Sequence, residues 1–556
     1  MINKGVILIS LVTSFFLSAC AMSQSGALYQ AKRSYQDADY ETCLTKLSQA
    51  EGYGEYSESV SSEVSLYRGL CLERAGRKPE AVAVYQNLIH KYPKSNGAAQ
   101  ARGRITNLNI ISTLSTETGT NPASNSGLVP PARAMLLLKV HVDSRHTSLP
   151  GSGNIPKDIA YDADVVLSKG YMTVSDTDHV TILDFEKRRR IFVEKKAGTY
   201  VDYSLYDSIG FRVLELNNRT AMNQMLINAK IDKQIAERED NEHILSVQTP
   251  PPLAISVDRD GDETVFSIAG KSLFRQSLKG MPVTVEDSTA FAQFLRYNFG
   301  GHPLILDNVA KGKLIPSRAT FTFRNIVAVN SLTITVTSAQ TADEGLYNIQ
   351  PYAPRMLTQS QDGLDEILDR AWNMPVLRMD EEKERLRKEI AAAFREARSF
   401  DAFLGATEFM LTTGEPLPEF LLDQKARIQS DAAFRKLLPA LMPDTKERLQ
   451  EAVKTLQELQ QHARSKQHIL KIFEANHRKA LGETLTAQRL FTEVLQGHPL
   501  LTGAYKDLGD ALLIDYDAPR AWRCWDIGRR IVPQYGSLSE VDQFEKKLEA
   551  EYPDYF

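Results

Sequence analysis

A spacing of small, aromatic and proline residues recurs near both ends of this 556-residue chain. From Gly69 the sequence steps twelve residues to Ala81, four more to Tyr85 and eight more to Pro93. A small residue lets two helices approach closely, an aromatic side chain fills the groove beside them, and a proline ends the second helix. Two further sets near the carboxyl end keep the same steps: Ala475, Ala487, Phe491, Pro499; and Gly509, Ala521, Trp525, Pro533. The spacing predicts pairs of antiparallel helices at both ends.

This pattern resembles the tetratricopeptide repeat, because Pro499 and Pro533 lie 34 residues apart, which is the period of that family. A weaker copy is formed by Ala31, Cys43 and Leu47. The alternative interpretation is a set of generic helical hairpins. Only about two repeats can be counted at each end, and such arrays usually need three or more to be stable. We therefore expect residues 27–108 to pack against another part of the chain.

The amino-terminal residues have the order of a secretory signal. Lys4 supplies a positive charge, residues 5–16 form an apolar run, and Leu17-Ser18-Ala19-Cys20 follows. That tetrapeptide resembles the lipobox of bacterial lipoproteins, which implies removal of residues 1–19 and attachment of acyl chains to Cys20. Each buried methylene adds about 0.8 kcal/mol to such anchoring. The alternative is a plain signal peptide with an accidental cysteine.

The resemblance also predicts a location. Ala21 follows the cysteine where an aspartate would resemble the inner-membrane retention signal, so we expect the outer membrane of a bacterial envelope, with the chain facing the periplasm. The predicted membrane contact is lipidated Cys20 alone, because no later stretch approaches eighteen consecutive apolar residues.

Composition excludes some classes of protein. The chain is 42% hydrophobic and 24% charged, which is typical of ordinary globular domains. A net charge of −4 gives no reason to expect a nucleic-acid partner. Of the remaining cysteines, Cys43 and Cys71 either pair in an oxidising compartment or fill helix cores, and Cys524 is predicted to be buried and free.

The middle of the chain changes to a period of two, which indicates β-strands. Asp260-Gly261-Asp262 predicts a hairpin turn, and residues 221–237 and 288–297 predict helices. Together these patterns predict an α+β multidomain protein, in which tetratricopeptide-like helices flank an antiparallel β-rich domain. The predicted boundaries are 1–19 for the signal peptide, 20–108 for the amino-terminal helices, 109–130 for a linker, 131–355 for the β-rich domain and 360–556 for the carboxy-terminal helices.

The order of the strands in the middle domain is similar to that of the LolA-like periplasmic lipoprotein carriers. The resemblance rests on the strands Met172-Thr173-Val174, Thr181-Ile182-Leu183-Asp184, Arg190-Ile191-Phe192-Val193 and Gly198-Thr199-Tyr200, with a closing hairpin from residue 315 to 337. The resemblance implies a half-barrel whose concave side takes an acyl chain or a lipidated protein. The segment 206–250 is longer than that pattern predicts, and no individual ligand contact follows from it.

Motifs for catalysis and cofactor binding are absent from the sequence. There is no Gly-x-Ser-x-Gly, phosphate loop, Cys-x-x-Cys or His-Glu-x-x-His. Asp258 to Glu263 lacks the spacing of a calcium loop, and His141, Asp143 and His146 are not expected to share one face of a strand. We therefore predict no enzyme activity, no cofactor and no metal site.

Three classes of function follow. The first is a non-catalytic scaffold that holds envelope proteins or their peptide segments in helical-repeat grooves. The second is a carrier or chaperone for an acyl chain or lipidated protein, which requires an apolar concavity not filled by its own side chains. The third is an envelope hydrolase with an unrecognised site. Trp522 is the candidate partner contact beside Trp525, although the alternative is a packed core tryptophan.

Overall fold

The computed structural model describes residues 24–36, 39–53, 57–75, 77–107, 135–148, 157–230, 236–324, 328–343, 345, 347–354, 363–374, 379–416 and 423–556. The predicted signal peptide, Cys20 and the predicted linker at 109–130 lie outside these residues. Two compact units are present. The first takes its residues from Met1–Gly119, Met374–Leu377 and Asp526–Lys546, and the second from Thr120–Asn373, Arg378–Trp525 and Lys547–Phe556.

The first unit is helical. Its amino-terminal helices are Gln24–Gln36 (α1), Tyr40–Gly52 (α2), Glu58–Arg74 (α3), Lys78–Lys91 (α4) and Asn96–Asn107 (α5). Asp39 and Ser57 cap α2 and α3, each accepting a hydrogen bond from a backbone N–H in the first turn. A disulfide between Cys43 and Cys71 joins these two helices, so the pairing alternative left open by the sequence is the one that the structure adopts.

A segment near the carboxyl end, Asp526–Lys546, completes this unit. Arg104 donates a hydrogen bond to the carbonyl oxygen of Arg530 (3.3 Å), and Gln534 bonds to the Tyr67 hydroxyl. Arg529 is buried against the carboxylates of Asp542 and Glu545, at 2.8 Å from each. The amino-terminal helices thus pack against another part of the chain, as the low repeat count predicted.

The second unit contains the sheet. Its strands are Met135–Ser148 (β1), Ile159–Leu167 (β2), Tyr171–Ser175 (β3), His179–Asp184 (β4), Arg189–Glu194 (β5), Thr199–Ser204 (β6), Ile255–Asp260 (β7), Glu263–Ile268 (β8), Lys271–Ser277 (β9), Gly280–Pro282 (β10), Leu314–Pro316 (β11), Arg318–Arg324 (β12), Ala328–Ala342 (β13) and Ala353–Pro354 (β14). The main sheet has the order β14-β6-β5-β4-β3-β2-β1-β13-β12-β9-β8-β7, and β10 pairs with β11. Eleven of its strands form one antiparallel series, and β14 joins β6 in parallel. The predicted antiparallel β-rich domain is confirmed.

Two helices cover one face of this sheet. The helices between β6 and β11 are Tyr206–Asn228 (α6), Arg238–Leu245 (α7), Val285–Asn298 (α8) and Pro303–Lys311 (α9), and α8 and α9 are the two that pack on the strands. Alternate residues of β1, such as Leu138 and Val140, share one buried cluster with Phe291 and Phe294 of α8 and Leu306 of α9. Each of these side chains is at most 2% exposed. This face of the sheet is therefore covered by the protein's own helices.

The remaining helices follow the sheet. They are Leu364–Asn373 (α10), Met379–Arg395 (α11), Ser399–Thr413 (α12), Lys425–Ser430 (α13), Ala432–Leu441 (α14), Lys446–His462 (α15), Gln467–Ala480 (α16), Thr484–Gly497 (α17), Thr502–Ile514 (α18), Ala518–Ile531 (α19) and Ser539–Glu551 (α20). Within the described part of the chain, no helix is both long and apolar enough to span a membrane.

The predicted boundary between a β-rich domain and a separate carboxy-terminal domain differs from the structure. Arg523 of α19 pairs with Asp369 of α10 at 2.6 Å and donates a hydrogen bond to the carbonyl oxygen of Asp202 in β6. These buried contacts join sheet and helices in one unit, whereas residues 526–546 belong to the other unit. The sequence did not predict this division, because local periodicity does not show which distant segment supplies the buried polar partners of a helix.

Candidate functional site

The residues of the repeat spacing lie at close helix contacts. A Cβ atom on Gly69 would lie 2.1 Å from Cε1 of Tyr85, and one on Gly509 would lie 2.4 Å from Nε1 of Trp525. Such distances are shorter than any carbon tolerates, so each glycine makes room for its aromatic partner. Other residues of this spacing are fully buried, at 0% exposure, among them Ala81, Ala487, Phe491 and Ala521. Turns just after α4, α17 and α19 contain Pro93, Pro499 and Pro533.

Trp522 requires a correction. Its side chain is 0% exposed, and a Cβ on Gly210 of α6 would lie 2.3 Å from its ring. The indole also meets Trp525 edge to face, with ring centroids 4.9 Å apart. The interpretation of Trp522 as a partner contact is therefore wrong, because the side chain is packed between α6 and its own helix.

A groove on α15, α16 and α17 is the candidate interaction surface. It is open to solvent, has a volume of about 680 Å³ and is lined mainly by long polar side chains. These are Gln457, Gln460, Gln461, Gln467, Lys471, Glu474, Arg478, Thr486, Arg489, Leu490 and Glu493. The residues of α16 among them recur at steps of three and four, so they form one helix face.

Glu474 is the buried hydrogen-bond acceptor that connects three other side chains of this groove. Its side chain is 4% exposed and accepts hydrogen bonds from Gln457 (2.9 Å), Gln460 (2.9 Å) and Arg478 (2.8 Å). Lys471 and Glu493 pair across α16 and α17 at 3.1 Å. Arg489 is exposed, and none of the described residues pairs with it. The lining has three cations (Lys471, Arg478, Arg489) and two carboxylates (Glu474, Glu493), which leaves a charge of +1.

A second polar cluster is closed to solvent. Glu242 and His302 are both 0% exposed, with Oε2 and Nε2 3.0 Å apart. Burial alone would raise the pKa of Glu242, but hydrogen bonds from His302, Thr249 and Arg238 lower the pKa to about 2. The backbone N–H of His302 also donates to Nδ1 of His243 at 2.8 Å. These bonds connect α7 with the start of α9, and the sealed position gives them a structural role.

This cluster predicts a pH dependence of stability. Burial, assisted by the neighbouring His302, lowers the pKa of His243 to about 3, so the folded protein keeps the ring neutral at pH 5. The unfolded chain protonates it near its ordinary pKa of about 6.5, so the free energy of unfolding should fall by about 2 kcal/mol between pH 7 and pH 5. Urea unfolding at both pH values should show this loss.

The control is His243→Asn, since an asparagine oxygen can replace Nδ1 as the acceptor but does not titrate. The variant should lose this part of the pH dependence. If the free energy of unfolding fell equally with pH in the two proteins, His243 would not be the cause of the pH dependence.

The other motifs of the sequence do not converge on a site. His141 lies 2.8 Å from Asp162, and Asp143 pairs with Arg145, so His141, Asp143 and His146 form no common cluster. Asp260 and Glu263 face each other at the predicted hairpin turn between β7 and β8, which is confirmed. Lys279 and Arg275 neutralise its acidic residues.

Comparison with known proteins supports one part of the assignment. A family model described as a tetratricopeptide repeat matches residues 63–95. The match spans most of α3 and all of α4, and it includes the predicted repeat residues Gly69, Ala81, Tyr85 and Pro93. The prediction of tetratricopeptide-like helices at the amino-terminal end is confirmed. No curated protein matches the chain. The match shows one tetratricopeptide-like repeat at the amino-terminal end, and repeats of this kind generally bind other proteins.

Proposed function

We propose that this protein is a lipid-anchored, non-catalytic scaffold of the bacterial envelope, and that the groove on α15–α17 holds a peptide segment of a partner protein. The observation that carries the proposal is the groove itself. Its side-chain amides can bond to the backbone of an extended peptide, and its cations can pair with acidic side chains. We expect the partner segment to be polar and to contain Asp or Glu.

Two observations support the location. Leu17-Ser18-Ala19-Cys20 follows a short apolar run, which resembles the lipoprotein signal. The Cys43–Cys71 disulfide is typical of proteins in oxidising compartments such as the periplasm. We propose an outer-membrane anchor through lipidated Cys20, with the chain in the periplasm.

The alternatives have less support. An acyl-chain carrier needs an open apolar concavity, but α8 and α9 cover the inner face of the sheet. A hydrolase needs perturbed groups that meet in an accessible cleft, whereas Glu242, His243 and His302 are at most 1% exposed. Neither observation favours a second candidate function.

Replacing Cys20 by alanine tests the anchor. We expect the variant to keep its signal peptide or lose its acyl chains, because the thiol that takes the lipid is gone. Mass analysis of the amino-terminal peptide and metabolic labelling with a radioactive fatty acid are the measurements. Cys524→Ala is the matched control, and unchanged fatty-acid labelling of Cys20→Ala would contradict the proposal.

Reversing two charges tests the groove. Lys471→Glu combined with Arg489→Glu should weaken binding of acidic peptides at least tenfold, since two attractive charges become repulsive. The measurement is binding of a displayed library of random peptides, followed by affinities for the selected sequences. Lys388→Glu combined with Lys425→Glu changes the net charge equally on exposed residues outside the groove. The proposal fails if no peptide is selected, or if both double variants bind alike.

A further inference from the structure

Three side chains from separate elements converge at one edge of the carboxy-terminal helices. Glu408 lies on α12, His468 in the first turn of α16, and His498 directly after the last residue of α17. Each offers one ligand atom, and these atoms all lie within 4.8 Å of one another. The site is distinct from the groove, because none of the three side chains belongs to the groove lining.

The distances are close to those of a metal centre. His468 Nε2 lies 3.0 Å and His498 Nδ1 lies 3.9 Å from Oε1 of Glu408. Zinc bonds to nitrogen and carboxylate oxygen of about 2.0–2.1 Å place two tetrahedral ligands about 3.3 Å apart. The observed separations lie on either side of that value, so small side-chain movements bring the three atoms around one ion.

We propose that Glu408, His468 and His498 form a binding site for a divalent transition-metal ion, with Zn²⁺ as the best fit. Two imidazoles and one carboxylate are the ligand set that zinc accepts with a water molecule in the fourth position. The ion would fasten α12 to α16 and α17.

Access to the site is compatible with this assignment, whereas the ring orientation requires one imidazole to move. The exposed fractions of the side chains increase outwards, from 5% for Glu408 through 11% for His468 to 41% for His498. The two imidazoles stack with centroids 3.5 Å apart and planes 21° from parallel. Since in-plane lone pairs of stacked rings do not meet at one point, binding requires rotation of a ring. His498 has the solvent exposure to rotate.

Lys466 is the competitor for the carboxylate. Its ammonium group lies 2.5 Å from Oε2 of Glu408, and it also lies 2.6 Å from Oε2 of Glu389. A metal ion and this ammonium repel each other, but the ion pair with Glu389 gives Lys466 a second anion. Removing the lysine charge should therefore strengthen metal binding, an effect that a purely structural cluster does not predict.

The experiment is a Zn²⁺ titration of the chelator-stripped full chain in competition with a chromophoric chelator. We expect one equivalent to bind, a rise in the unfolding temperature, and binding weakened at least tenfold in His468→Ala and His498→Ala. Lys466→Met should bind more tightly than the wild type. His462→Ala, which removes an exposed histidine from the end of α15, should bind Zn²⁺ as the wild type does.

A second measurement does not depend on the variants folding. Co²⁺ added to the wild type should produce visible absorption of low-symmetry, four- or five-coordinate cobalt, and Zn²⁺ should displace it. Circular dichroism identifies any histidine variant that is unfolded. The proposal is overturned if the wild type binds no Zn²⁺, if the cobalt spectrum is that of the hydrated ion, or if folded histidine variants bind with unchanged affinity.

Discussion

Replacing Arg104 by methionine should destabilise the first unit by about 3–5 kcal/mol, because it leaves a buried carboxylate without its counter-ion. The guanidinium donates to both oxygens of Glu73 (2.7 and 2.9 Å), and the side chains are only 3% and 2% exposed. The Tyr85 hydroxyl donates to the same carboxylate at 3.0 Å. Urea unfolding followed by circular dichroism measures the change.

Two controls separate the buried pair from a general effect of charge. Arg77→Met removes an exposed cation whose partner Glu80 lies 2.7 Å away on the helix surface, and it should leave the stability nearly unchanged because solvent screens this pair. Arg104→Met combined with Glu73→Leu should recover part of the lost stability, since no unpaired charge remains. A cost for Arg104→Met as small as that for Arg77→Met would contradict the buried pairing.

Trp522→Ala should lower the stability of the second unit by about 3–5 kcal/mol, the usual cost of removing a large buried aromatic side chain. The indole is fully buried beside Gly210 and Trp525, so the substitution opens a cavity between α6 and α19. Thermal and urea unfolding of the purified chain are the measurements.

Leu485→Ala is the matched control on α17, since this side chain is 76% exposed and its loss should change stability by less than about 0.5 kcal/mol. If Trp522→Ala left stability unchanged and weakened peptide binding instead, the tryptophan would be a partner contact after all.

Local patterns predicted much of this fold. The steps from Gly69 to Pro93 identified a helical pair because small and aromatic residues at that spacing face each other across two helices. The period of two identified the strands. The helix predicted from residue 221 instead starts at Tyr206, because its first turn is held by burial of Tyr206 and Ile209 rather than by a sequence signal.

Those local patterns could not predict contacts between segments that are far apart in the sequence. Nothing around Asp526 to Lys546 indicates that it belongs with the amino-terminal helices, because that contact depends on Arg104 and Tyr67, more than 400 residues away. The cluster of Glu408, His468 and His498 also depends on contacts between distant parts of the sequence. Its members are separated by 60 and 30 residues, so each histidine looks isolated in the sequence. The predicted absence of a metal stays a prediction, which the titration will decide.

The contact between Gly69 and Tyr85 has a consequence for how this sequence can diverge. A methyl group at position 69 is tolerated only if position 85 becomes smaller, and a smaller residue there removes the hydroxyl that donates to Glu73. Gly509 and Trp525 are under the same constraint, because the indole also donates a hydrogen bond to the carbonyl oxygen of Lys506. Among related sequences these positions should therefore change together in pairs, and single exchanges should be rare.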